Sequence, residues 1–242
     1  MADLRGEAGE FTRRLREALG ERLRAVVLHG SVARQEAVDG VSDVNLLVLV
    51  DAADASLLRR LAPLAREWLE RERALPLLFG WDEWQASLDA FAIETSDMLE
   101  ARVILHGDDP LADAVVQPEE LRLQAERELR GKLVHLREGM LVAADRPEDL
   151  GRLLLTALPS VATYLRVALR LAGKAVPGTT PAVLREAATL LGAELRPLEE
   201  LWERRSRREV PSPDIDDPLV RAVHAVLEDT VRYVDTLSGE DR

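Results

Sequence analysis

Apolar residues recur along this chain in two different rhythms. Phe11, Leu15, Leu19 and Leu23 fall every fourth position and predict an amphipathic opening helix. The short, mostly apolar run Arg24–His29 stops at Gly30 and reads as a strand, and Ser31–Ala37 has room for one or two helical turns. Val44–Val50 is aliphatic apart from Asn45, the pattern of a strand covered on both faces. Leu57, Leu61, Leu64, Trp68 and Leu69 then mark the inner face of a helix over Ser56–Arg73. Beyond it Leu75–Gly80 reads as a third strand, Trp81–Leu88 as a short helix, Phe91–Glu94 as a fourth strand and Val103–Leu105 as an edge strand.

From Pro118 onward the strand signals stop. Leu129, Leu133, Leu136 and Met140 have helical spacing within Glu119–Val142. A second helix is expected over Leu150–Ala172, with Pro159 kinking or interrupting it. The Gly- and Pro-containing stretch Gly173–Pro181 predicts a loop. Further helices are expected over Ala182–Leu191, Arg196–Arg208 and Pro218–Leu237. The predicted architecture is therefore α/β (α+β): an N-terminal domain over 1–116 with a small mixed sheet, and a C-terminal helical bundle over 117–242.

Composition narrows the function classes. The chain has 242 residues and a net charge of −12, with 44 acids against 32 Lys and Arg. That balance argues against sequence-independent binding to nucleic acid, whose affinity comes mainly from neutralised phosphates. There is no cysteine, which removes disulfides, thiolate metal sites and a cysteine nucleophile. Met1–Glu10 is polar and lacks the apolar stretch of a signal peptide, and no aliphatic run approaches the ~20 residues of a membrane span. A soluble, cytoplasmic protein is expected. The four histidines are widely scattered, which argues against a His-rich metal site.

The chemistry concentrates in Val26–Val50. Gly30 permits a tight turn at a strand end. Ser31 then opens a helix whose free N–H groups favour an anion such as a triphosphate tail. Twelve residues on, Asp43 begins the next strand, and alternation projects Asp43 and Asn45 to one face. Two oxygen ligands beside a phosphate cradle suit a Mg²⁺–nucleotide. Arg34, one turn into the helix, reads either as a phosphate contact or as a surface cation.

Leu28-His29-Gly30-Ser31 and Ser42-Asp43-Val44-Asn45-Leu46 resemble the signature of the polymerase-beta-like nucleotidyltransferase superfamily. The layout resembles its aminoglycoside-adenylyltransferase type, a small α/β domain followed by helices. The resemblance implies that Gly30, Ser31, Arg34 and Ser42 bind a nucleoside triphosphate and that Asp43 and Asn45 hold Mg²⁺. It also implies transfer of a nucleoside monophosphate to a hydroxyl of a small molecule or protein, in a cleft between the two domains. Active members place three carboxylates around two metal ions. Here Asn45 stands at the second position, and the strand expected to carry the third acid, around Pro76, has none. Glu94 is the candidate base or third ligand, with Asp97, Asp82 and Glu83 as other acids nearby in sequence. The alternative is a catalytically inactive nucleotide-binding or partner-binding relative.

Other features have plain competing readings. Trp81 and Trp84 either stack on a base or pack at a domain edge. Arg130 and His135 have the spacing of a helical ribonuclease signature, yet residues five apart lie about 140° apart on a helix. The run around Glu126 and Arg130 reads more simply as a charged, solvated face.

Overall fold

The computed structural model describes residues 3–38 and 42–237, and the chain divides into two compact units, Met1–Gln117 and Pro118–Arg242. Part of the loop expected before the second strand, residues 39–41, lies outside the described residues.

In the first unit, α1 (Leu4–Leu19) begins where Asp3 accepts the Gly6 N–H at 2.9 Å. It buries Phe11, Leu15 and Leu19, the predicted stripe. One 3₁₀ turn leads into β1 (Leu23–His29), then α2 (Gly30–Ala33), β2 (Asn45–Val50) and α3 (Ala55–Glu70). The remaining elements are β3 (Leu77–Gly80), α4 (Trp81–Gln85), α5 (Ala92–Glu100) and β4 (Arg102–Gly107). The strands form one mixed sheet in the order β3-β2-β1-β4. β1 runs antiparallel to β2 and β4, and β2 runs parallel to β3.

Alternation divides the central strands between two cores. Val26, Leu28, Leu46 and Val48 pack with Phe11, Leu15, Leu57, Leu61 and Trp68 of α1 and α3. Ala25, Val27, Leu47 and Leu49 pack with Trp84, Met98 and Leu111 on the opposite face. β2 is thus covered on both sides, as its aliphatic run predicts. Trp84 is fully buried there, and its ring lies 5.3 Å from Phe79. It is a packing residue.

One predicted strand is a helix. Phe91–Glu94 does not pair in the sheet, and Ala92–Glu100 is α5. Its buried positions, Ala92, Ile93, Thr95, Ser96 and Met98, follow a helical rhythm that four residues are too short to reveal. Glu94 therefore projects from a helix.

The second unit contains α6 (Pro118–Ala143), α7 (Pro147–Leu171), α8 (Thr180–Leu191), α9 (Arg196–Ser206) and α10 (Pro218–Thr236). α7 is its centre, burying Leu150, Leu154, Leu158, Val161 and Leu165 and touching each of the other four helices. It is long and apolar enough to cross a bilayer by composition, but its most apolar stretch is 56% buried within the protein. Pro159 lies inside α7 without ending it. α6 and α10 run antiparallel, joined by Arg130–Asp235 at 2.8 Å and Arg137–Glu228 at 2.6 Å. His135 instead faces Glu138 at 3.1 Å. Arg130 and His135 therefore have separate carboxylate partners, and the ribonuclease spacing builds no shared site.

Candidate functional site

The β1–α2 turn is the organising feature. Gly30 has φ +70°, a conformation that side chains other than glycine adopt at a cost. A Cβ placed there would lie 2.6 Å from Nδ2 of Asn45. Asn45 stands opposite His29 in the β1–β2 register, so its amide lies flush against the turn. The sequence motif therefore comes together: Gly30, Ser31 and Asn45 share one corner of the sheet.

α2 is a single turn closed by a Schellman arrangement. The Glu36 N–H donates to the Ser31 carbonyl at 2.9 Å and the Gln35 N–H to the Val32 carbonyl at 3.3 Å. Gln35 takes the left-handed position, φ +61°, that glycine usually fills in such a motif. This bend returns Glu36 towards Arg34.

Arg34 is not a surface cation. Its Nη1 donates to both Asp97 oxygens, at 2.9 and 2.8 Å, and the two side chains are only 12% and 13% exposed. Its Nε lies 3.5 Å from a Glu36 oxygen, buried and with no formed hydrogen bond. Asp97 comes from α5, one turn after Glu94, so these two acids share a helix face. Sequence proximity suggested Asp97 only as an acid in reserve; the structure makes it the partner of Arg34.

His29 was missed as a site residue. It ends β1 opposite both Asn45 and Arg102. Loss of water around the imidazole pulls its pKa down to about 4; Arg34 adds to that shift, and Asp97 opposes it. His29 is neutral at physiological pH. Its position immediately before Gly30 was the available signal.

Asp43 and Ser42 have local partners. The Asp43 carboxylate accepts the Val44 N–H and the Ala74 N–H, both at 2.8 Å. It ties the entry to β2 to the segment before β3. Arg73 reinforces the tie, pairing with Glu7 of α1 at 3.0 Å and reaching the Ser42 carbonyl at 3.4 Å. Ser42 is buried, and its hydroxyl accepts the Val38 N–H at 2.8 Å. The expected joint projection of Asp43 and Asn45 thus resolves into two different engagements, one with Ala74 and one with Gly30.

The fit of a metal pair can be judged on these residues. Hard divalent ions need several oxygen ligands, preferably charged. Both Asp43 oxygens already accept backbone N–H groups, Asn45 brings no charge, and β3 has no acid. Glu83 is occupied as a cap, accepting the Gly80 N–H at 3.0 Å. Among the described residues, no three His, Asp or Glu side chains gather in a way that could hold a metal ion. The residues present do not fit a two-metal centre.

No family model matches the chain, and no curated protein matches it in sequence. Among solved structures it is similar to the crystal structure of spectinomycin adenyltransferase AAD(9) from Enterococcus faecialis with ATP and spectinomycin. The TM-score is 0.58 at 12% identity, over 93% of this chain and 98% of that one. A likeness of that extent at that identity is one of fold: this chain shares with that structure an α/β part built on a small mixed sheet and a helical C-terminal part.

Proposed function

We propose that this protein binds a nucleoside triphosphate at the Gly30–Ser31 turn and does not transfer it. The fold and the retained turn support the binding half. One observation carries the other half: the Asp43 carboxylate is hydrogen-bonded to the Val44 and Ala74 amides, while the neighbouring ligand position is the neutral Asn45. A two-metal transfer stabilises both the attacking and the leaving oxygen. A chain that cannot gather the acids for two ions loses that stabilisation, because the ions are the largest local charges in such a site.

The test measures two things on the full chain. Titration calorimetry with ATP, with and without Mg²⁺, should show binding that changes little when the metal is removed. Incubation with α-labelled triphosphates and a panel of hydroxyl-bearing small molecules and proteins should give no labelled acceptor above the protein-free background. Labelled product that disappears in Asp43→Ala would overturn the proposal and make this a working nucleotidyltransferase.

That active reading has one observation in its favour. Glu94 shares a face of α5 with Asp97, which reaches Arg34 beside the turn. Glu94 would then be the general base for the acceptor hydroxyl, and Glu94→Gln would abolish labelled product while leaving ATP binding in place. The acceptor would be a small-molecule or protein hydroxyl, and the nucleotide would bring Mg²⁺ with it.

A further inference from the structure

Arg34 stands three residues after Ser31, where its charge would serve a phosphate, yet two carboxylates already hold it. We propose that Asp97, aided by Glu36, is an internal latch occupying Arg34 in place of a phosphate, so that a triphosphate engages this turn only by displacing the Asp97 carboxylate. The inference rests on the nucleotide-binding reading above and specifies how that site is restrained.

Three observations carry it. First, Arg34 is held by an anion through a charge-assisted contact, Nη1 lying 2.9 and 2.8 Å from the two Asp97 oxygens, and a phosphate offers Arg a contact of the same kind. Second, the acids do not saturate the guanidinium. Arg34 Nε is buried without a formed hydrogen bond, and Glu36 stops at 3.5 Å. A phosphate group carries more acceptor oxygens than a carboxylate and can meet both edges. Third, the formal charge of Arg34, Asp97 and Glu36 together is −1. The single cation at this turn is thus already matched by acids of the chain itself, with which an incoming phosphate must compete. Because the pair is largely out of water, removing one partner leaves a cation that strongly seeks a new anion.

Further features fit this arrangement. The left-handed backbone at Gln35 turns Glu36 back onto Arg34. His29, neutral through desolvation, contributes no cation that would compete for the same acids.

Inorganic tripolyphosphate and ATP, each titrated at low ionic strength into the full chain, test the latch. Asp97→Asn should tighten tripolyphosphate binding at least tenfold. It should also lower the melting temperature of the free protein, and tripolyphosphate should restore more of that loss than it adds to the parent. Glu36→Gln should tighten binding by a smaller factor. Asp51→Asn removes the same charge beside Arg22, at the opposite end of β2, and should change nothing. Unchanged or weaker binding in Asp97→Asn overturns the latch, as does equal tightening in Asp51→Asn, which would mark a general charge effect. Should Asp97→Asn fail to fold, Glu36→Gln decides alone: tighter binding supports the latch and unchanged binding overturns it. ATP separates the two proposals. Equal ATP binding by parent and Asp97→Asn keeps the nucleotide reading and removes the latch. Tripolyphosphate bound as tightly as ATP in every variant, with Asp97→Asn the tightest, keeps the latch and removes the nucleotide. No binding of either ligand by any variant removes both.

Discussion

Asp43 illustrates how one side chain can match a metal-binding signature while serving the backbone. Its carboxylate accepts the N–H groups of Val44 and Ala74, joining the entry of β2 to the segment before β3. Asp43→Ala leaves the half-buried Val44 N–H without its acceptor, while the exposed Ala74 N–H turns to water, so the net loss is about 1–2 kcal/mol. The variant should lose about 1–2 kcal/mol in chemical denaturation, by the same amount with Mg²⁺ or with a chelator. A metal ligand would instead show its loss only when Mg²⁺ is present. His29 gives a second expectation. Its pKa in the folded protein, about 4, lies below the ordinary value of 6.5, so the unfolded chain takes up the proton first. The stability from this group is complete above pH 6.5 and is lost as pH falls towards 4. The full shift corresponds to about 3 kcal/mol. His29→Gln should therefore flatten the stability–pH curve across that window, measured by urea denaturation at successive pH values. At these positions the sequence revealed residue types and spacing, because Gly30, Asp43 and Asn45 sit within one short segment. It could not reveal that Asp97, 63 residues beyond Arg34, would claim the guanidinium.

Helices and strands were legible wherever a rhythm ran long enough. α3, α6 and α10 each carry several turns of one apolar stripe, and β2 is a continuous aliphatic run, so their positions follow from burial alone. Phe91–Glu94 failed because four residues fit a period of 2 or of 3.6 equally well; Ser96 and Met98 settle it only once Ala92–Glu100 is taken as a whole. Of the two effects expected of Pro159, interruption does not occur: α7 runs on through it, with Val161, Leu165 and Leu169 buried. Packing of a long apolar face outweighs one lost backbone hydrogen bond. α7 also contains a contact that no pattern announces. A Cβ at Gly151 would lie 1.8 Å from the Pro211 carbonyl oxygen, within rigid backbone. Gly151→Ala should therefore destabilise the helical unit by about 2 kcal/mol or more, although alanine is the better helix former by about 1 kcal/mol. Thermal denaturation followed by far-ultraviolet circular dichroism measures this directly.

Over the whole chain, a net charge of −12 and the absence of cysteine set the chemical boundaries before any coordinates are consulted. Two compact units, one built on a mixed four-stranded sheet and one on helices, follow the change in apolar rhythm near Pro118. Fold class follows from periodicity because periodicity is a local property: burial on one face of a helix or strand repeats at a spacing visible within a dozen residues. The use made of the site is not local. Whether Asp43 meets a cation or the Ala74 amide, and whether Arg34 meets a phosphate or Asp97, depends on which distant backbone and side chain arrive beside it. Those arrivals are set by strand order and by the placement of α5 against the sheet. Only the folded chain decides them, because hydrogen bonds and ion pairs act over a few ångströms and the partners lie 31 and 63 residues apart in sequence.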